Sequence, residues 1–186
     1  MRKVVLYLLS SVDGVVEAPD RFVRDFDPRM RENLAEVVGA QDAVILGRRG
    51  YEEWVQYWPE QDEAPFAPFI NGVDKYVVTS RPLDATWDRT TVVNRSAREL
   101  VEELRQEPGG DIGVHGSVEL ARSLVSDGLV DELRLVVAPT VAGRGRTLFA
   151  ETEEAAPIEL LSAESTPSGT LLLHYRMGGT AQEVVV

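Results

Sequence analysis

Ile45-Leu46-Gly47-Arg48-Arg49-Gly50-Tyr51-Glu52 is the stretch whose reading decides the fold. Residues 43–46 are uniformly apolar, as in a short strand buried on both faces. Gly47 breaks the run. Tyr51, Trp54, Val55 and Trp58 then recur at helical spacing until Pro59. A strand that passes directly into a helix is the building unit of a parallel α/β sheet. It also places Arg48 and Arg49 at a helix N-terminus, where free N–H groups and the helix dipole attract phosphate. Arginine adds a planar fork that grips phosphate through two hydrogen bonds. Surface arginines beside a glycine are common, so this segment also fits an ordinary turn.

The same unit recurs on either side. Residues 4–9 form an apolar run of strand length, and Asp13-Gly14 marks a turn after it. Pro28 opens a helix whose Met30, Leu34, Val37 and Val38 share a face, and Gly39 stops it. Residues 60–74 read as an irregular loop with Pro65, Pro68 and Gly72. Strands follow at 76–79 and 91–93, then a helix carrying Leu100, Val101 and Leu104. A fifth strand spans 112–115. Gly116-Ser117 turns into a helix with Val118, Ala121, Leu124 and Val125, and a sixth strand spans 133–138. Beyond a Gly/Arg loop at 139–149, strands at 158–163 and 170–176 flank Pro167-Ser168-Gly169 as a hairpin. The expected fold is therefore α/β, with three layers and a mainly parallel central sheet that ends in a C-terminal antiparallel hairpin. We expect one domain over 1–178 and a flexible tail over 179–186.

Composition narrows the function. The chain has 186 residues and no cysteine, which removes disulfides, thiolate zinc sites and cysteine nucleophiles. A formal net charge of −12 without any dense Lys/Arg run argues against a nucleic-acid partner. No stretch has the length or apolarity of a membrane span, and residues 10–14 read as strand and turn rather than a cleavage site. A cytoplasmic location is expected.

Two further strand ends carry candidate chemistry. Thr79-Ser80-Arg81 puts hydroxyls and a cation at the carboxyl end of a strand, where α/β proteins usually bind ligands. His115-Gly116-Ser117 combines a glycine, which admits a close pyrophosphate, with a serine able to cap the next helix. This is not the Gly-x-Gly-x-x-Gly fingerprint of the Rossmann fold. His115 lies beside that position and either lines it or packs. With only His115 and His174 and no cysteine, no metal site is expected. Tyr57 and Trp58, near a helix end, can wall a cleft for a flat heterocycle. Arg144 and Arg146 fit a solvated loop or reach towards a ligand.

Taken in order, these segments resemble the dihydrofolate-reductase-like superfamily, in particular the branch similar to the reductase domain of riboflavin biosynthesis. The shared pieces are Ser10 through Gly14, Gly47 through Glu52, Trp58-Pro59, Asn71 through Lys75 to Ser80, His115 through Ser117, Val130 through Leu133, Pro139, and Gly143 through Phe149. The likeness covers about residues 3–177.

That resemblance implies an NADPH-dependent reductase of a small heterocyclic or carbonyl substrate, pterin- or ribityl-pyrimidine-like. A non-catalytic NADPH- or ligand-binding protein on the same fold is the alternative. Gly47, Arg48, Arg49, Thr79, Ser80, Arg81, His115, Gly116 and Ser117 would hold the cofactor, with Arg48 at its 2′-phosphate or pyrophosphate. Gly14, Tyr57 and Trp58 would meet the substrate. A homodimer is also implied, with Leu171-Leu172-Leu173 as the strand needing cover.

Two positions depart from the family pattern. Gly50 stands where the arginine motif usually has threonine. The acid that dihydrofolate reductases carry on the first helix falls on Arg31, and neighbouring Glu32 is turned about 100° away. Asp13 is then the remaining candidate acid, with a raised pKa if apolar groups desolvate it. It equally fits a plain Asp-Gly turn.

Overall fold

The apolar run at the start becomes β1, Val4–Ser11, in a computed structural model that describes residues 1–149 and 156–178. The expected tail at 179–186 lies outside the described residues. Because successive strand side chains point to opposite faces, Val4, Leu6 and Leu8 join one core cluster while Val5 and Tyr7 join another. β1 is thus buried from both sides, which explains its lack of polar alternation.

The remaining strands are β2 (Gln41–Gly47), β3 (Asp74–Val78), β4 (Thr90–Val93), β5 (Asp111–His115), β6 (Glu132–Ala138), β7 (Glu159–Ser165) and β8 (Leu171–Arg176). They form one sheet in the order β4-β3-β2-β5-β1-β6-β8-β7. Every pairing is parallel up to β6, and β8 and β7 close the sheet as the antiparallel hairpin.

Helices cover both faces. α1 (Pro28–Gly39) places Met30, Leu34, Val37 and Val38 against Val5 and Tyr7. Its N-cap, Asp27, accepts from Met30 N at 2.9 Å and from Ser168 N at 3.1 Å, which ties the helix start to the hairpin turn. α4 (Ala97–Gln106) and α5 (Val118–Ser126) pack on the opposite face, against Leu6, Ile112 and Val114.

Two expectations are corrected. The helix after Gly47 does not run to Pro59. It is α2, Arg48–Trp54. Beyond it the hydrogen bonding tightens, with Tyr57 N donating to Trp54 O at 3.0 Å, and Trp58–Glu60 forms a separate 3-10 turn. Residues 60–74 are not irregular throughout, because α3 spans Phe66–Gly72. Pro68 lies in its first turn, where the missing N–H has no intrahelical partner to lose.

The base of α3 is held by a buried cation. Lys75 on β3 is fully buried, and its ammonium donates to Ile70 O and Val73 O, each at 2.9 Å. It also lies 4.7 Å from the centre of the Trp87 ring, while Trp87 Nε1 donates to Asn71 Oδ1 at 3.0 Å. Burial lowers the Lys75 pKa from 10.5 to about 8. Between those values the unfolded chain binds more protons than the folded one, so stability contributed by this group rises with pH. Wild type should therefore gain on Lys75→Met from pH 8 to 10.5, by at most about 1.4 kcal/mol per pH unit. Urea unfolding at several pH values in that range measures it. A constant difference between the two proteins would mean that the ammonium is not desolvated.

Candidate active site

The sheet order sets the carboxyl ends of β2, β5 and β1 side by side, so the segments that follow them converge. Between residues 47–50 and 116–120 lies a notch of about 140 Å³, with Arg146 on its rim. Ser117 does not cap α5 with its side chain. Its hydroxyl instead accepts from Gly47 N at 3.1 Å, joining the two junctions. Gly116 has φ +66°, in the left-handed region that favours glycine. A Cβ there would also collide with the Trp54 ring. A Cβ on Gly50 would collide with Ser117 Oγ. The hydroxyl missing at position 50 thus has its space taken by the hydroxyl of Ser117.

Arg48 lies on the notch wall, with Nε donating to Glu52 at 2.6 Å and a terminal nitrogen 3.4 Å from Asp84. That second contact brings the segment after β3 beside it. There Thr79 and Arg81 close a small turn, Arg81 N donating to Thr79 Oγ1 at 3.1 Å. Thr79 is half-buried, Ser80 and Arg81 are exposed, and none of the three lines the notch.

Next to the notch opens a cleft of about 640 Å³, and Arg49, Glu53, Gly116, Val118 and Arg146 line both. Its inner wall is aromatic. Phe66 meets Trp54 and Trp58 edge-on, with ring centres 5.5 and 4.8 Å apart, and lies 5.4 Å from His115. His115 is buried, and its Nε2–H donates to Gln41 Oε1 at 2.8 Å. Burial lowers its pKa to about 3, so it is a neutral imidazole at pH 7. Tyr7, 6.1 Å from that ring, is buried with its hydroxyl unpartnered, and burial raises its pKa. Trp58 lines this cleft. Tyr57 does not, and stands 54% exposed.

Asp13 is corrected. It is exposed and lies outside the cleft lining. Its carboxylate accepts from Ser11 Oγ at 2.6 Å, Ala142 N at 2.9 Å and Gly143 N at 2.7 Å. Those bonds, that from Ser11 first, hold its pKa down at about 2, the reverse of the expected rise. Asp13 thereby pins the 139–149 loop against the β1 turn, where Gly14 has φ +83° and likewise lies outside the cleft lining. Arg146 of the same loop contacts Glu17 at 2.9 Å and Glu119 at 3.1 Å.

Sequence reasoning missed Tyr7, Glu17, Glu53 and Glu63 as cleft residues. A lone tyrosine in an apolar strand was the one available signal. Arg31 does occupy the cleft wall, and Glu32 is absent from it. Among the described residues, no group of three or more His, Cys, Asp or Glu side chains is placed to hold a metal ion. No described helix is long and apolar enough to cross a membrane.

Residues 2–172 match the family described as the RibD C-terminal domain. The chain belongs to that family. It is 27% identical over 184 residues to the Bacillus subtilis (strain 168) uncharacterized protein YyaP, covering 96% of each chain. A pyrimidine reductase-like protein from Corynebacterium diphtheriae superposes with a TM-score of 0.68 at 14% identity, covering 96% of this chain and 93% of that one. A Thermotoga maritima diaminohydroxyphosphoribosylaminopyrimidine deaminase/5-amino-6-(5-phosphoribosylamino)uracil reductase gives 0.68 at 13% identity, with 95% of this chain matching 56% of that longer one. At such identities the structures speak for the fold, which is dihydrofolate-reductase-like, and this member of the RibD C-terminal family is reductase-like in kind.

The contact between Gly50 and Ser117 can be tested directly. Gly50→Thr, which restores the usual residue, should destabilise the protein by about 1–3 kcal/mol through overpacking. Adding Ser117→Gly should recover at least half of that loss in a double-mutant cycle measured by chemical unfolding. Strictly additive losses would show that the two positions do not compete for space.

Proposed function

We propose that this protein binds NADPH and uses it to reduce a small, flat heterocyclic or conjugated carbonyl compound. The supporting observation is the continuity of the notch with the aromatic cleft. Five residues line both, so a ligand with a phosphate at one end and a planar ring at the other can lie across them. The fit of a pyrophosphate rests on the notch itself, walled by Gly47, Gly50, Gly116 and Ser117 with Arg48, Arg49 and Arg146 beside them.

The residues divide the work. Gly47, Gly116, Ser117 and the first amides of α5 would face the pyrophosphate. Arg48, with Thr79, Ser80 and Arg81 beyond it, would take the adenosine 2′-phosphate. Arg48 can exchange the long contact to exposed Asp84 for a phosphate at little cost. Arg49 and Arg146 stand where notch and cleft meet. When bound, NADPH supplies hydride. Trp54, Trp58 and Phe66 would orient the acceptor ring and exclude water, with Tyr7 O–H available as a donor to it. His115, neutral and tied to Gln41 through its Nε2–H, shapes the wall and is not an imidazolium acid at pH 7. The phosphorylated pyrimidine of the Thermotoga protein's reductase activity is one candidate substrate.

The alternative is a non-catalytic NADPH- or ligand-binding protein on the same fold. Absorbance at 340 nm decides between them, with NADPH and a panel of pterins, pyrimidines, flavins and quinones. Oxidation with any of them supports the reductase. Binding of NADPH without oxidation supports the alternative.

Wild type should prefer NADPH to NADH, and Arg48→Ala should lose NADPH affinity by about one to two decades while losing less for NADH. Equal losses would move Arg48 away from the 2′-phosphate. The strand carrying Leu171-Leu172-Leu173 is not an edge, because β8 lies between β6 and β7 and Leu172 is buried. We propose instead a homodimer through the outer hairpin, where Leu160 and Leu171 are 53% and 42% exposed. Light scattering at micromolar concentration should give twice the chain mass, and the chain mass itself would refute it.

A further inference from the structure

The charges around the cleft select its ligand. Every arginine lining it is closed on a carboxylate that also lines it. Arg31 meets Glu63 at 2.9 Å, Arg49 meets Glu53 at 3.0 Å, and Arg146 meets Glu17 at 2.9 Å. Asp20 lines the cleft as a fourth carboxylate, and it makes no ion pair among the described residues. The lining therefore carries one more negative than positive charge, in a chain of net charge −12. The notch lining has the reverse count, three arginines (Arg48, Arg49 and Arg146) to two carboxylates (Glu53 and Glu119), with Arg48 also paired to Glu52 and Arg146 to Glu17. Arg31 is held from a second side, its guanidinium carbon 5.6 Å from the centre of the Phe26 ring.

Deeper in, the polar groups are uncharged. Tyr7 is 94% buried with its hydroxyl unpartnered, and His115 is neutral. A buried hydroxyl without a partner leaves the cost of its desolvation unmet, and a neutral acceptor on a ligand would meet it. An anion entering here would meet one carboxylate more than there are arginines, and among the described residues each arginine of the lining already faces a carboxylate.

We propose that the cleft takes an uncharged, flat, unphosphorylated ring, and that a phosphate on the substrate is selected against there. This rests on the reading above that the notch holds the cofactor's phosphates, and it removes phosphorylated pyrimidines from the candidate substrates. Arg31, which occupies the position of the missing family acid, is in this account a specificity residue whose charge Glu63 masks.

Riboflavin and FMN test the proposal, because they share one flat ring system and differ by a phosphate. Equilibrium dialysis against the whole protein should show riboflavin binding about tenfold or more tightly than FMN. Glu63→Gln should narrow that ratio, because Arg31 then faces the ligand without its carboxylate. FMN binding as tightly as riboflavin, binding of neither up to the solubility of riboflavin, or a ratio unmoved by Glu63→Gln would each overturn it. NADPH binding, followed separately by its fluorescence, keeps the two readings apart. Loss of NADPH binding with the riboflavin preference intact refutes the cofactor reading alone, and NADPH binding with FMN preferred refutes this inference alone.

Discussion

The hydroxyl of Ser117, accepting from the amide of Gly47 at 3.1 Å, ties the end of β2 to the start of α5. It can do so because residue 50 has no side chain. With the two junctions fastened, the backbone between them leaves a notch instead of closing over it. Gly116 must then turn through the left-handed region, and the absence of its side chain lets the Trp54 ring lie against the backbone. Trp54 in turn meets Trp58 and Phe66 edge-on, and Phe66 abuts His115. One hydrogen bond between two neighbouring strand ends is therefore continuous, through packed rings, with the far wall of the cleft.

The opposite wall depends on carboxylates that would be misread as catalytic. Asp13 gives its two oxygens to Ser11, Ala142 and Gly143, and Glu17 gives both of its own to Arg146. Together with the bridge between Val15 and Thr147, they clamp the 139–149 loop onto the turn after β1. This uses acidic residues in a strongly acidic chain without leaving them as repelling surface charge, since each meets an N–H or a guanidinium. It also places Arg146 between notch and cleft, where its two carboxylate partners set how much positive charge a ligand would feel.

The alternation of short apolar runs with helical periods was enough to read the parallel sheet and its closing hairpin, because strands buried on both faces leave an unbroken apolar signature. The ordered set of junction motifs was enough to read the family. What escaped was decided by contacts between distant segments. Pro68 reads locally as a breaker, yet it occupies a helix position that needs no N–H. Trp58 continues the helical spacing of Tyr51 and Trp54, but its aromatic contacts come after the backbone has left the helix. Asn71 and Lys75 belong to the segment shared with the family, and the sequence does not say what they touch. They serve the underside of α3, where Lys75 substitutes for solvent at two carbonyls. Asp13 looked free to act as an acid because the amides that occupy it come from residues 142 and 143, about 130 positions away in sequence.

The inner wall also constrains the kind of chemistry it can accommodate. On the proposed reading, a hydride arriving at a ring in this cleft leaves an electron pair on the acceptor. His115 is unprotonated at neutral pH and Tyr7 holds its proton tightly, so neither is matched to protonate that pair during transfer. Three of the four carboxylates lining the mouth, Glu17, Glu53 and Glu63, are engaged with arginines. Tyr7 can still donate a hydrogen bond, which stabilises developing charge on an oxygen or nitrogen without passing the proton. An acceptor suited to this wall spreads the incoming charge over a conjugated system and takes its proton later, from water. A flat, uncharged, conjugated ring meets that demand, and an isolated imine or ketone does not. The chemistry of the wall and the charge pattern of the mouth thus select the same class of molecule by independent routes.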